Sequence, residues 1–173
     1  MQFGRVVFAF ALSLVAWNVS PAAAQDRSWG DLKVSFAAID YDLSGTGTAA
    51  ALAVRATRDL SPSVRLEFGA AIARPEQQLV GTSTLFLPEV QLQYRWNLGR
   101  VAPYVGGGIG AALVKWSLLS DWDPTLAAAA GTDVRITDRL AVTGEFRLRG
   151  HEWRATGTTA EFSAGLSWRL PSF

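Results

Sequence analysis

Between Thr125 and Arg149 the chain alternates at a period of two residues, and few folds accommodate that. Leu126, Ala128, Ala130, Thr132, Val134 and Ile136 fall on one face, and Ala127, Ala129, Gly131, Asp133 and Arg135 on the other. After Thr137, Asp138 and Arg139 the pattern resumes. Leu140, Val142, Gly144, Phe146 and Leu148 now oppose Ala141, Thr143, Glu145, Arg147 and Arg149. Side chains point alternately to the two faces of a strand, whereas a helix repeats near 3.6 residues. Two runs of about ten residues around a polar turn therefore predict a long β-hairpin.

The same ruler places further strands over residues 31–41, 48–57, 63–73, 85–97, 101–113 and 157–170. With the hairpin the total is eight, the even number expected of a single-chain membrane barrel. The strand over 101–113 is rich in glycine: Val101, Pro103, Val105, Ile109 and Leu113 share one face, Tyr104, Gly106, Gly108 and Gly110 the other. Short turns at 58–62, 97–100 and 137–139 alternate with longer connections at 41–47, 74–84, 114–124 and 150–156. Short periplasmic turns, longer outer loops and both termini on the periplasmic side fit an outer-membrane barrel. The expected fold is all-β: an eight-stranded antiparallel up-and-down transmembrane β-barrel, following a cleaved signal peptide.

Residues 1–24 read as that signal peptide. Arg5 supplies a basic start, the stretch from Val6 to Trp17 is almost wholly apolar, and Ala22, Ala23 and Ala24 offer a cleavage site before Gln25. The apolar run falls short of the roughly 20 residues of a membrane-spanning helix. Residues 25–173 suit one domain, the barrel. All 15 acidic residues lie there, with 15 of the 16 Lys and Arg, so the exported part is neutral and has no basic surplus for nucleic acid. The absence of cysteine removes disulfides and thiolate chemistry.

Alternation alone leaves open which face is inside. The polar face is crowded with Gly, Ala and Ser, which leaves long Arg and Glu side chains room to cross a narrow interior, and an eight-stranded barrel is just wide enough to be filled by side chains. The opposite face carries the bulk. Aromatic residues gather near strand ends, at Trp29, Tyr41, Phe86, Tyr94, Trp96, Tyr104, Trp116, Trp153 and Trp168, as interfacial girdles would require. The charges on the polar face balance, with Arg55, Arg65, Arg95, Arg135, Arg147, Arg149 and Arg169 against Glu67, Glu89, Asp133, Glu145 and Glu161. Arg in place of Lys suits planar, multiply bonded pairs in a confined space. The expectation is a salt-bridged lumen with the apolar face toward lipid, and a loss of about 3–5 kcal/mol in Glu145→Ala from a stranded arginine.

At this point the chain resembles the small OmpA-like and OmpX-like outer-membrane β-barrels. The resemblance spans the exported part and rests on the signal peptide, the eight alternating strands, the strand Ala102-Pro-Tyr-Val-Gly-Gly-Gly-Ile-Gly110 and the terminal Phe173. It implies a monomer among outer-membrane lipids and lipopolysaccharide, without a cofactor. It also implies recognition of the last strand and Phe173 by the barrel-assembly machinery. Trp168 and Leu170 keep the alternation of that strand, while Pro171 and Ser172 interrupt it.

Few residues suggest chemistry. Gly106, Gly108 and Ala111 mimic a dinucleotide fingerprint, but that motif needs a following helix, and here the glycines share a strand face. His151 is the one histidine and the obvious general base. Outer-membrane lipid A deacylases set a His, a Ser and an acid in an eight-stranded wall, yet the serine expected two residues after His151 is missing. Ser163 is a weak substitute. Asp40 with Asp42, and Asp121 with Asp123, are placed in outer loops where they would reach Ca²⁺ or Mg²⁺, although solvated acids explain them as well. No catalytic set, metal site or cofactor site is assigned. The leading expectation is a non-enzymatic barrel serving envelope structure or surface contacts. The alternatives are an outer-leaflet lipid A or phospholipid hydrolase and a narrow channel.

Overall fold

The computed structural model describes residues 29–40, 47–74, 76–77, 81–115, 120–151 and 157–170. The expected signal peptide and Phe173 lie outside them. Eight long strands, β1 (Trp29–Asp40), β2 (Thr48–Asp59), β3 (Val64–Ala73), β4 (Thr84–Arg95), β5 (Val101–Lys115), β6 (Ser120–Arg135), β7 (Leu140–His151) and β8 (Gly157–Arg169), account for most of them. Each pairs antiparallel with its neighbours in sequence, and β1 pairs with β8 from Asp31↔Arg169 to Asp40↔Ala160, which closes the barrel. Closure leaves no unpaired sheet edge, the condition for strands to cross a bilayer. No helix among the described residues is long and apolar enough to span a membrane.

Three tight connections lie at one end. Leu60 and Ser61 both donate to the Val64 carbonyl, at 2.9 and 3.0 Å; Ile136 and Thr137 both donate to the Leu140 carbonyl, at 2.9 and 3.0 Å. The turn between β4 and β5 passes through Gly99 at φ 73°, a conformation that costs glycine little and other residues more. By the rule for outer-membrane barrels this end faces the periplasm.

The opposite end departs from the expected loops. β5 and β6 continue to Lys115↔Ser120, so the loop placed at 114–124 is mostly strand. Asp121, Trp122, Asp123 and Pro124 look like loop composition, but Trp122 sits across from Leu113 with both exposed outward, an aromatic–aliphatic pair that prolongs the ladder. Between β3 and β4, Glu76–Gln77 pairs with Gly81–Thr82 in a small separate ladder.

The apolar face is outside. Phe36 is 78 % exposed and Phe162 63 %, and Val54, Ile109, Leu126 and Leu166 continue the band. A soluble monomer rarely exposes a contiguous apolar surface beyond a few hundred Å². Of the aromatic residues assigned to girdles, Phe86, Tyr94, Trp96 and Trp168 do face outward. Tyr104 does not: it is 1 % exposed and points into the lumen, because it shares the parity of Gly106 and Gly108. The side chain of Trp29 and all of Tyr41, Trp116 and Trp153 lie outside the described residues.

Candidate functional site

The lumen holds the only dense assembly of charged side chains among the described residues, and its geometry decides what the barrel can transmit or bind. At its centre stands Arg147, on β7 and fully buried. Its Nη2 lies 2.7 Å from Glu67 of β3 and 2.7 Å from Glu145 of its own strand. Its Nε donates to Glu145 at 2.9 Å, and Nη1 contacts Glu89 of β4. One guanidinium thus joins three strands. Toward the outer end Glu161 of β8 bridges Arg55 at 2.5 Å and Arg149 at 2.7 Å, and Arg149 also reaches Glu89 at 3.0 Å. Toward the periplasmic end Arg65 binds Asp133 at 3.0 Å and donates to Gln93 at 2.7 Å. Burying an ion without partners costs several kcal/mol, so such groups persist only when each meets its opposite.

The sequence-predicted members Arg55, Arg65, Glu67, Glu89, Asp133, Glu145, Arg147, Arg149 and Glu161 all lie buried in this lumen. Arg95 sits lower, with Asp31 at 3.7 Å and Asp59 at 3.8 Å. Arg169 is at the rim, its side chain 43 % exposed and 3.5 Å from Asp31. Arg135 is a correction: it ends β6, where the lumen face opens to solvent, and its side chain is exposed.

Other members escaped the sequence reading. Lys33 lies 3.2 Å from Asp133 and 4.0 Å from Glu67. Tyr104 donates to Glu145 at 2.7 Å, with Lys33 and Arg65 held over its ring at 4.3 and 4.5 Å. Cations over a desolvated ring are stabilised by its quadrupole. The parity of Lys33 with Ser35, and of Tyr104 with the glycines, was the available signal. Also unforeseen is an apolar layer. Ile39, Leu85 and Leu87 pack with Ala37, Ala51, Ala71 and their neighbours inside the outer part of the barrel. The lumen is therefore stoppered by ions in its lower and middle parts and by hydrocarbon toward the loops.

Tyr104 fits because Gly131 faces it across the β5–β6 ladder. A Cβ at Gly131 would stand 2.5 Å from the phenolic oxygen and 2.6 Å from Cζ. Gly131→Val should push the ring off Glu145 and cost about 1–3 kcal/mol, the usual range for overpacking, read as a lower urea midpoint of the refolded protein. Glu145→Ala needs revision against this geometry. Arg147 keeps Glu67 and Glu89, and Arg55 keeps Glu161, so no arginine is stranded. The loss combines the acceptor of the buried Tyr104 hydroxyl, about 1–3 kcal/mol, with one positive charge left unbalanced beside Arg55 and Arg147. Tyr104→Phe should recover part of it in the double variant.

The weak catalytic pair is not assembled. Gly157 pairs with His151, whereas Ser163 pairs with Glu145, six residues farther along β8. At about 3.3 Å per residue the two levels are roughly 20 Å apart. Ser163 is also buried, on the lumen side of the wall. His151 belongs to β7 rather than to a loop, and its side chain lies outside the described residues. Asp121 and Asp123 likewise belong to β6, Asp40 ends β1, and Asp42 lies outside the described residues. No group of three metal-ligating side chains occurs among the described residues.

The barrel has known counterparts. The outer membrane protein beta-barrel domain family matches residues 8–169. The neisserial surface protein A is 13 % identical with a TM-score of 0.66, over 82 % of this chain and 96 % of that one. The N-terminal β-barrel domain of Pseudomonas aeruginosa OprF is 13 % identical with a TM-score of 0.55, over 82 % and 100 %. The outer membrane enzyme PagL is 15 % identical with a TM-score of 0.55, over 81 % and 99 %. At these identities the likeness is one of fold. No curated protein matches the sequence. With closed topology, outward apolar band and family match in agreement, the chain belongs to the outer membrane protein β-barrel domain family and resides in the bacterial outer membrane.

Proposed function

We propose that this protein is a non-enzymatic, non-conducting barrel that works as a monomer in envelope structure or in surface contacts made by its outer loops. The observation that carries this reading is the doubly stoppered lumen. Ion pairs cross it around Arg147, and Ile39, Leu85 and Leu87 fill it above them. An ion entering would have to break charge-assisted pairs of 2.5–3.0 Å and then shed water in an apolar layer. The separation of Ser163 from His151 supports the non-enzymatic part. The outward apolar band suits outer-membrane lipid and lipopolysaccharide. The alternation of β8 suits recognition by the assembly machinery, with Phe173 as its terminal aromatic.

Two recordings on the refolded protein test the proposal. Planar bilayers should stay silent, and lipopolysaccharide-containing vesicles should release no fatty acid above protein-free controls. Steady single-channel steps would replace the reading with a channel. Fatty-acid release that disappears in His151→Ala would replace it with a hydrolase.

A further inference from the structure

We propose that the periplasmic mouth of the barrel is a binding site for a phosphoryl dianion. Two neighbouring turns build it. The Arg135 amide donates to the Arg100 carbonyl at 2.8 Å, and the Arg169 amide donates to the Arg139 carbonyl at 2.8 Å. These bonds bring four arginines to one rim, on the periplasmic side of Arg95, around a concavity of about 390 Å³ that includes its open mouth. Its enclosed part is small, suited to a compact tetrahedral group rather than to a sugar or a nucleoside.

The charge at this mouth differs from that of the interior. Five guanidiniums line it, against the carboxylates of Asp31 and Asp138 and of Asp59 beside Arg95 and Arg169; with Asp133 set against the interior cations, two positive charges are in excess. Asp133 is already engaged from within, by Lys33 at 3.2 Å and Arg65 at 3.0 Å. Asp31 is divided among Arg65 at 3.7 Å, Arg95 at 3.7 Å and Arg169 at 3.5 Å. Arg95 and Arg169 find a second acid in Asp59, at 3.8 and 3.9 Å. These contacts exceed the about 2.7–2.9 Å of a closed charge-assisted hydrogen bond. Those of Arg147 and Arg149 to Glu67 and Glu161, at 2.7 Å, do not. Acids thus balance the interior tightly and the mouth loosely. Arg100, Arg135 and Arg139 are exposed.

A doubly charged phosphoryl group matches the surplus. Its oxygens match the fork geometry of guanidinium donors, which lysine lacks. The mouth lies where the membrane's inner surface meets the periplasm, so the group can arrive on a soluble phosphate ester or on a lipid headgroup. The shared chemistry is the phosphoryl anion.

The experiment has two arms on the refolded protein. In neutral-detergent micelles, inorganic phosphate is titrated by calorimetry. In nanodiscs of phosphatidylcholine with and without phosphatidic acid, whose phosphomonoester carries the second charge, lipid retained after extraction is weighed by native mass spectrometry. The paired variant Arg135→Gln/Arg139→Gln should weaken phosphate binding about tenfold or more, or abolish selective phosphatidic acid retention. The variant Arg74→Gln/Lys115→Gln, which removes the same charge from the opposite end, should change neither. An effect in the first arm alone identifies a soluble ester, and one in the second a headgroup. Should the paired variant lose heat-modifiable mobility, Arg100→Gln tests the same rim with one substitution. Absence of both saturable phosphate binding and lipid selectivity in the unsubstituted protein overturns the proposal. So does an equal loss in the two paired variants.

Discussion

Arg147→Met is expected to lower the unfolding free energy by about 3–5 kcal/mol, the cost of removing one partner from a buried ionic set. The substitution keeps an unbranched apolar stem that ends near the position of Nε, and removes the cation that Glu67, Glu89 and Glu145 share. None of the three is then without a neighbour. Glu67 retains Arg55 at 3.8 Å and Lys33 at 4.0 Å, Glu89 retains Arg149 at 3.0 Å, and Glu145 retains the Tyr104 hydroxyl at 2.7 Å. The lumen is nonetheless left with an uncompensated negative charge in a confined space. Glu89→Gln should restore part of the loss in the double variant, since it removes the surplus charge and keeps an acceptor for Arg149. Contacting residues in one network couple by about 0.5–3 kcal/mol, so the cycle should depart visibly from additivity. The measurement is the urea midpoint in vesicles, followed by the fluorescence of the six tryptophans of residues 25–173. Strict additivity would mean that Arg147 and Glu89 are not paired in the folded barrel.

The second large effect lies on the other side of the same wall. Val90 faces outward near the middle of β4, level with Phe68 and Ile109. Val90→Arg should cost about 2–4 kcal/mol in phospholipid vesicles, as expected for arginine at the bilayer midplane. Leu98→Arg, at the exposed periplasmic turn, should cost about 0–1 kcal/mol. The contrast reports depth rather than composition, because both substitutions replace an outward aliphatic residue by the same cation. Equal costs at the two sites would deny that the apolar band is in contact with hydrocarbon.

Glu89, the partner of Arg147, and Val90 are neighbours on β4, and their fates are opposite because of parity alone. That much the amino-acid sequence determined by itself. Period-two alternation specified strands, their approximate bounds, the number eight and the separation of Arg55, Glu67, Glu145 and Arg147 from Phe36, Phe68 and Leu166. A side chain in a strand has only two directions to take, so local order suffices.

Closure decided the rest. Whether Arg147 meets Glu67, Glu89 or Glu161 depends on the stagger between strands far apart in sequence, which no local pattern records. The same stagger placed Ser163 and His151 at different levels, although both lie on adjoining strands. It gathered Ile39, Leu85 and Leu87 into one layer, although each looks like an isolated lapse in a polar face. Tyr104 was legible by parity and was misplaced because its aromatic ring suggested an interface. The bonds between turns that draw Arg135 toward Arg100, and Arg169 toward Arg139, exist only once the barrel has closed. Which charges face each other in a lumen is a property of the ring of strands, and a sequence lists those strands without their stagger.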